Sequence, residues 1–231
     1  MDGAGPGAGP AVGRTLRLAH RGDHRRHPEN SLAALVAALE VPGCDGVEFD
    51  VRASRDGVPV VIHDATLARV QGRPEAVGQL TAAELEIVGV PSLEAVLAAV
   101  PHRAFLDVEI KESFGRTLIE VLAAGRGPDL HNAVVSGFDP RAVARVRGLA
   151  PSWRCWLNSD TLGPETIRAA NDLGCAGVAV EWHALDADAA TAARAAGLDL
   201  AAWTVTQRAA RARLVKLNVV AMCVEGAALE G

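Results

Sequence analysis

Nine short apolar runs, bounded by turn residues and alternating with Ala-rich amphipathic segments, limit what this chain can become more than any other feature. The runs lie at 15–20 (TLRLAH), 46–51 (GVEFDV), 59–63 (PVVIH), 104–111 (AFLDVEIK), 133–138 (AVVSGF), 153–157 (WRCWL), 177–181 (GVAVE), 199–205 (DLAAWTV) and 219–224 (VVAMCV). Helices are predicted near 31–40, 81–86, 92–99, 116–124, 140–148, 164–173, 187–196 and 207–216. This is the rhythm of a parallel sheet covered by helices. The first helix gathers Leu32, Leu35, Val36 and Leu39 on one face, with Asn30 or Ser31 to cap its free N–H groups. Gly43, Gly174 and Gly197 each follow a helix, where a left-handed C-cap is needed.

One gap breaks the rhythm. Only seven residues, RASRDGV, separate Val51 from Pro59, whereas a parallel crossover needs a dozen or more. Those two strands are therefore expected to be antiparallel, with Asp56-Gly57 as a tight turn. That turn sets position 55 against 58 and 50 against 63, so His63 is expected beside Asp50. With the hairpin counted as an extension of one strand, eight strands remain, as a closed (β/α)8 TIM barrel requires. A chain of 231 residues accommodates one such barrel. The expected organisation is a flexible tail over residues 1–13 and a single domain over 14–231.

Composition excludes several function classes. A formal net charge of −5 argues against a nucleic-acid binder, which needs clustered Lys and Arg in excess. Cys44, Cys155, Cys175 and Cys223 are far apart and form no C-x-x-C pair, so buried reduced thiols are expected. MDGAGPGAGPAVG has neither the basic nor the apolar region of a secretory signal. No run approaches 18 apolar residues free of charge, so no membrane-spanning helix is expected. The location expected by default is cytoplasmic.

Water solvates a carboxylate better than a strand interior does, yet Glu48 and Asp50 sit in GVEFDV and share one strand face, their Cα atoms about 6.5–7 Å apart. The same alternation in LDVEIK points Asp107, Glu109 and Lys111 inward. Glu48, Asp50 and Glu109 make a ligand set for one hard divalent cation. The structural alternative, pairing with Arg or Lys in polar barrel layers, leaves like charges that repel in low dielectric. AHRG stands at the C-terminal end of the first strand, where barrels hold their active sites, so His20 and His63 converge on the same mouth. Two imidazoles there can take and give the protons that breaking a phosphoester requires. Arg21 and Lys111 supply charge for a phosphate. The basic stretch His24–His27 reads as a solvated loop; His102, His131 and His183 read as background.

In order along the chain stand HRG, PEN-S, VEFDV, RDG-VPVVIHD-x-T-L, LTAAEL, PSLEAVL, VEIK, SGFDP and WTV, and this series resembles the glycerophosphodiester phosphodiesterase family over roughly residues 15–206. The resemblance implies a distorted TIM barrel that hydrolyses a small-molecule glycerophosphodiester to an alcohol and sn-glycerol 3-phosphate with Ca²⁺ or Mg²⁺, Mn²⁺ being a further candidate. It assigns His20 and His63 to acid–base catalysis, Glu48, Asp50 and Glu109 to the metal, and Arg21 and Lys111 to phosphate. Trp203 would line the glycerol pocket and Phe138 is a second candidate for that wall; both also suit a core. The chain departs from the family pattern at Thr206, where Asn is usual, and over Val219–Leu229. Residues 64–103 hold a loop and short helices in place of a larger insertion, which implies a more open pocket. Two other readings use the same site: a lysophospholipase D or cyclic-phosphate-forming lyase, and a non-catalytic phosphoester-binding barrel.

Overall fold

The computed structural model describes residues 14–230, so the predicted N-terminal tail lies outside the described residues. All nine predicted strands form: β1 (Leu16–His20), β2 (Gly46–Ala53), β3 (Pro59–Val61), β4 (Phe105–Ile110), β5 (Ala133–Gly137), β6 (Cys155–Ser159), β7 (Gly177–Glu181), β8 (Asp199–Val205) and β9 (Ala221–Val224). Eight close a barrel of parallel neighbours in the order β1-β9-β8-β7-β6-β5-β4-β2, and β2 pairs back onto β1. β3 stands outside the closure, antiparallel on β2. The fold is the expected α/β barrel with a hairpin extension.

The hairpin register is one residue away from the predicted one. Val51 faces Val61 and Ala53 faces Pro59. Ser54 N–H donates to the Val58 carbonyl at 3.0 Å, and Gly57 at φ +77° completes a three-residue loop, Arg55 to Gly57. A left-handed glycine in third place favours this longer loop over a two-residue turn. Asp50 therefore faces Ile62, whose N–H donates to its carbonyl at 2.9 Å, and His63 lies one residue past the ladder.

The described helices are α1 (Leu32–Ala38), α2 (Ala68–Gln71), α3 (Ala82–Ile87), α4 (Leu93–Ala99), α5 (Arg116–Arg126), α6 (Pro140–Leu149), α7 (Pro164–Asp172), α8 (Ala187–Ala195) and α9 (Arg208–Lys216). Ser31 caps α1, its hydroxyl accepting from Ala34 N–H at 3.2 Å. Gly174 and Gly197 are left-handed directly after Leu173 and Ala196, the C-caps of α7 and α8. Gly43 is also left-handed, but it lies four residues beyond Leu39, the C-cap of α1, and turns the loop into β2. α2 has no side-chain cap and only four residues, too few for an apolar period to register.

Strand alternation divides the core. Val47, Phe49, Val51, Leu106, Val108 and Ile110 face outward and are fully or almost fully buried in the main cluster that also holds the helix residues Leu35, Leu93 and Leu118. Leu18, Phe105, Val134, Trp156, Ala179, Ala201 and Ala221 fill the lower barrel interior. A TIM barrel packed in this way has a floor and one open end. β3 and the excursion after it share a small cluster of Val60, Ile62, Leu67, Val77, Leu85 and Val90. No helix among the described residues is long and apolar enough to cross a membrane.

Candidate active site

At the open end, the register of three adjacent strands brings the predicted acidic residues together. His20 on β1 pairs with Glu48 on β2, and Asp50 on β2 pairs with Glu109 on β4. Side chains at paired positions of neighbouring strands share a face. Glu48, Asp50 and Glu109 are all buried, and each offers a carboxylate oxygen within 4.8 Å of the others. Such a set of hard oxygen donors fits a divalent cation. Glu48 Oε1 has no hydrogen-bond donor among the described residues, an oxygen left over for a ligand.

The AHRG turn positions its residues by backbone geometry. Arg21 (φ +56°) and Gly22 (φ +83°) both lie in the left-handed region. Arg21 N–H donates to the Glu48 carbonyl at 2.9 Å, which fastens the turn to β2. A Cβ on Gly22 would sit 2.5 Å from the Ala34 carbonyl carbon, so only glycine lets α1 pass this close.

Each histidine is held at Nδ1 by a carboxylate. His20 Nδ1 contacts Glu225, the residue after β9, and its Nε2 lies 3.7 Å from Glu48 Oε2. His63 Nδ1 lies 2.7 Å from Asp64 Oδ1. Both rings line one pocket with Arg21, Glu48, Glu109 and Lys111. His24, in the basic stretch that reads as a solvated loop, lies nearer than expected, its Nε2 3.5 Å from Glu225.

Cations share the cluster. Lys111 Nζ is 2.8 Å from Asp50 Oδ1 and also contacts Glu109, while Arg21 Nε is 3.2 Å from Asp50 Oδ2. Burial opposes ionisation of Asp50, but Lys111 and Arg21 outweigh it and hold that carboxyl below its ordinary range. Burial, then repulsion from Asp50, pushes Glu48 well above the usual range and raises Glu109 too. The protein alone thus leaves two of the three carboxyls leaning toward the neutral form, as a cluster short of positive charge does.

Phe138 and Trp203 form one wall, ring centroids 5.4 Å apart in an edge-to-face arrangement, and Trp203 Nε1 donates to the Ala179 carbonyl at 3.0 Å. Phe138 is 43% exposed. The floor is polar: Asp107 and Asn158 each present a buried oxygen with no hydrogen-bond partner among the described residues, and Cys223 lies beside Asp107.

Of the nine predicted site residues, eight line the pocket and Asp50 is fully buried beside it. Sequence reasoning missed Asn30 and Glu225. Asn30, 3% exposed, donates from Nδ2 to Asp50 Oδ2 at 2.8 Å, and its Oδ1 accepts from Asp50 N–H at 3.3 Å. In the sequence it reads only as a helix cap. The signal for Glu225 is its place at the end of a barrel strand, the rule that also places His20.

Comparison with known proteins identifies the family. The profile of the glycerophosphoryl diester phosphodiesterase family matches residues 20–227. The chain belongs to this family. As a glycerophosphodiester phosphodiesterase it is an enzyme. A relative in Caldanaerobacter subterraneus, named glycerophosphodiester phosphodiesterase, is 26% identical over 230 residues, covering 89% of this chain and 92% of its own. The crystal structure of a glycerophosphodiester phosphodiesterase from Thermotoga maritima superposes with a TM-score of 0.78 at 24% identity, covering 92% of this chain and 95% of that one. An Oleispira antarctica phosphodiesterase, crystallised with the product sn-glycerol-3-phosphate, gives 0.76 at 24% identity and covers 90% and 92%. At this identity the two structures speak for the fold of the phosphodiesterase.

Proposed function

We propose that this phosphodiesterase hydrolyses glycerophosphodiesters to sn-glycerol 3-phosphate and an alcohol, with His20 and His63 as the acid–base pair. The observation that carries the reading is the convergence of Glu48, Asp50 and Glu109, with ligand oxygens within 4.8 Å of one another, in a pocket that two carboxylate-held imidazoles also line. These three residues would hold a divalent cation, Ca²⁺ or Mg²⁺ with Mn²⁺ as a third candidate, which would supply Lewis-acid polarisation of a phosphoryl oxygen. Arg21 and Lys111 orient the phosphate from the two sides of the cluster. One imidazole, its Nδ1–H held by a carboxylate, presents a bare Nε2 that takes the proton of the attacking hydroxyl. The other, protonated at Nε2, passes its proton to the departing alkoxide. Phe138 and Trp203 shield the glycerol side of the diester from water. The product bound by the Oleispira antarctica neighbour supports the substrate class.

The test is a panel of glycerophospho-choline, -ethanolamine, -glycerol and -inositol with lysolipids, each followed by phosphorus NMR in EDTA and with each metal restored. His20→Ala and His63→Ala are expected to lower turnover by at least about 10² with the fold intact. Near wild-type rates in both variants would remove the acid–base assignment. Normal turnover in an extensively chelated preparation would remove the metal, and a persistent cyclic ester would replace hydrolysis by cyclisation.

A further inference from the structure

The excursion after β3 carries an interaction that the acid–base scheme leaves unused. Arg69 lies on the four-residue α2 and spans two carboxylates. Its Nη1 donates to Glu29 Oε2 at 2.7 Å and its Nη2 to Glu29 Oε1 at 2.7 Å. Its Nε donates to Asp64 Oδ2 at 2.7 Å, and Nη2 also reaches Asp64 Oδ1 at 3.1 Å. Each carboxylate holds a pocket residue in turn: Glu29 Oε1 accepts from Arg21 Nη1 at 2.8 Å, and Asp64 Oδ1 faces His63 Nδ1 at 2.7 Å. Arg21, Glu29, Arg69, Asp64 and His63 form one unbroken chain from the end of β1 to the residues just past β3.

We propose that Arg69 is a positioning residue, a guanidinium clamp that fixes Arg21 and His63 relative to each other through Glu29 and Asp64. The proposal rests on the reading that Arg21 and His63 act on the phosphodiester. A stabilising role explains the contacts poorly, since the Arg69 side chain is 48% exposed and ion pairs at such sites add little to stability. Geometry explains them better. The planar guanidinium meets both oxygens of Glu29 along one edge and both oxygens of Asp64 along another, which only arginine can do. His63 needs such support because its side chain is 34% exposed and lies past the last ladder pair of the hairpin, with no strand partner to orient it. Both carboxyls are held far down, to about 2, with the Arg69 hydrogen bonds among the chief causes, so both clamp arms are ionised at neutral pH.

The experiment compares Arg69→Gln, Arg69→Ala and Arg69→Lys with Arg73→Gln, which removes a nearby arginine whose side chain, among the described residues, bonds to Glu75 alone, and serves as the control. Arg69→Gln is expected to lower kcat by about 10- to 100-fold with Tm unchanged, Arg69→Lys to restore little, and Arg73→Gln to match wild type. Added guanidinium ion is expected to recover activity in Arg69→Ala and not in Asp64→Asn. The double variant Arg69→Gln/Asp64→Asn should be no slower than the worse single one, because both cut the same chain. Long-range proton–nitrogen NMR of His63 reads the clamp directly: one tautomer, protonated at Nδ1, in wild type and a mixture in Arg69→Gln. A kcat within twofold of wild type in Arg69→Gln, or an unchanged His63 spectrum, overturns the proposal. If the wild-type chain turns over no glycerophosphodiester, the proposed activity falls and the His63 spectra alone judge the clamp.

Discussion

Asp107 shows how much of this site is decided by single buried groups. It stands two residues before Glu109 on the same strand face, and sequence alternation points it inward. Its surroundings are not legible in the sequence, because Ser136 and Cys223 approach it from β5 and β9, far away along the chain. Glu225 and Asn30 escape notice for the same reason: the first contacts His20 from 205 residues away, and the second turns from the helix it is expected to cap toward Asp50, 20 residues away. Burial pushes the Asp107 carboxyl up to about 7. In the unfolded chain it titrates near 3.9, so between about 4 and 7 the unfolded state releases a proton that the folded state keeps. Stability attributable to this group is therefore full at low pH and falls as pH rises through that window. Asp107→Asn removes the penalty and keeps the shape. Its Tm relative to wild type, measured in EDTA, is expected to rise from pH 4 to pH 8 by several degrees; a difference that stays flat across that range would mean Asp107 is solvated or paired in solution.

Among elements, the strands are readable because each is a short apolar run with inward-facing exceptions, and the eight-strand closure follows from counting. The hairpin register is not. Asp56-Gly57 looks like a two-residue turn, but glycine in the third loop position shifts every pairing by one, a choice made by the backbone rather than by apolar pattern. α2 is invisible for want of length, and with it Arg69. Two left-handed glycines separate backbone strain from packing. A Cβ added at Gly57 would meet nothing within 4 Å, so Gly57→Ala is expected to cost only the strain of a positive φ, about 1 kcal/mol. Gly22 carries the same strain, and a Cβ added there would lie 2.5 Å from the Ala34 carbonyl carbon of α1, so Gly22→Ala adds an overpacking cost of about 1–3 kcal/mol and displaces Arg21. Urea midpoints and turnover measured together test this: Gly22→Ala should lose both, Gly57→Ala should lose a little stability and keep activity. Equal losses in the two would show that the turn and α1 separate at no cost.

For the molecule as a whole, the barrel sets stability against function on β2 and β4. Closure gives every barrel strand two neighbours, and the filled lower interior holds these two in fixed register, so Glu48, Asp50 and Glu109 cannot relax apart when their charges oppose. Without a divalent ion the fold carries the cost of a buried Glu48 beside two further carboxylates; a divalent ion held by these three groups would make them a cross-link between adjacent strands. A ligand that binds only the folded state stabilises it by about 2.7 kcal/mol at 100 times its Kd, which for a domain of this size amounts to several degrees in Tm. Glu48→Gln should therefore have opposite effects in the two conditions. In EDTA it removes a carboxyl that folding must either protonate or bury charged beside Asp50 and Glu109, and the variant should melt above wild type. In Ca²⁺ or Mg²⁺ it loses a ligand, and wild type should gain stability that the variant does not. Thermal melts over a metal titration are expected to cross. Two parallel curves, with the variant equally displaced at every metal concentration, would mean that the carboxylates hold no ion and that Lys111 and Arg21 alone balance them.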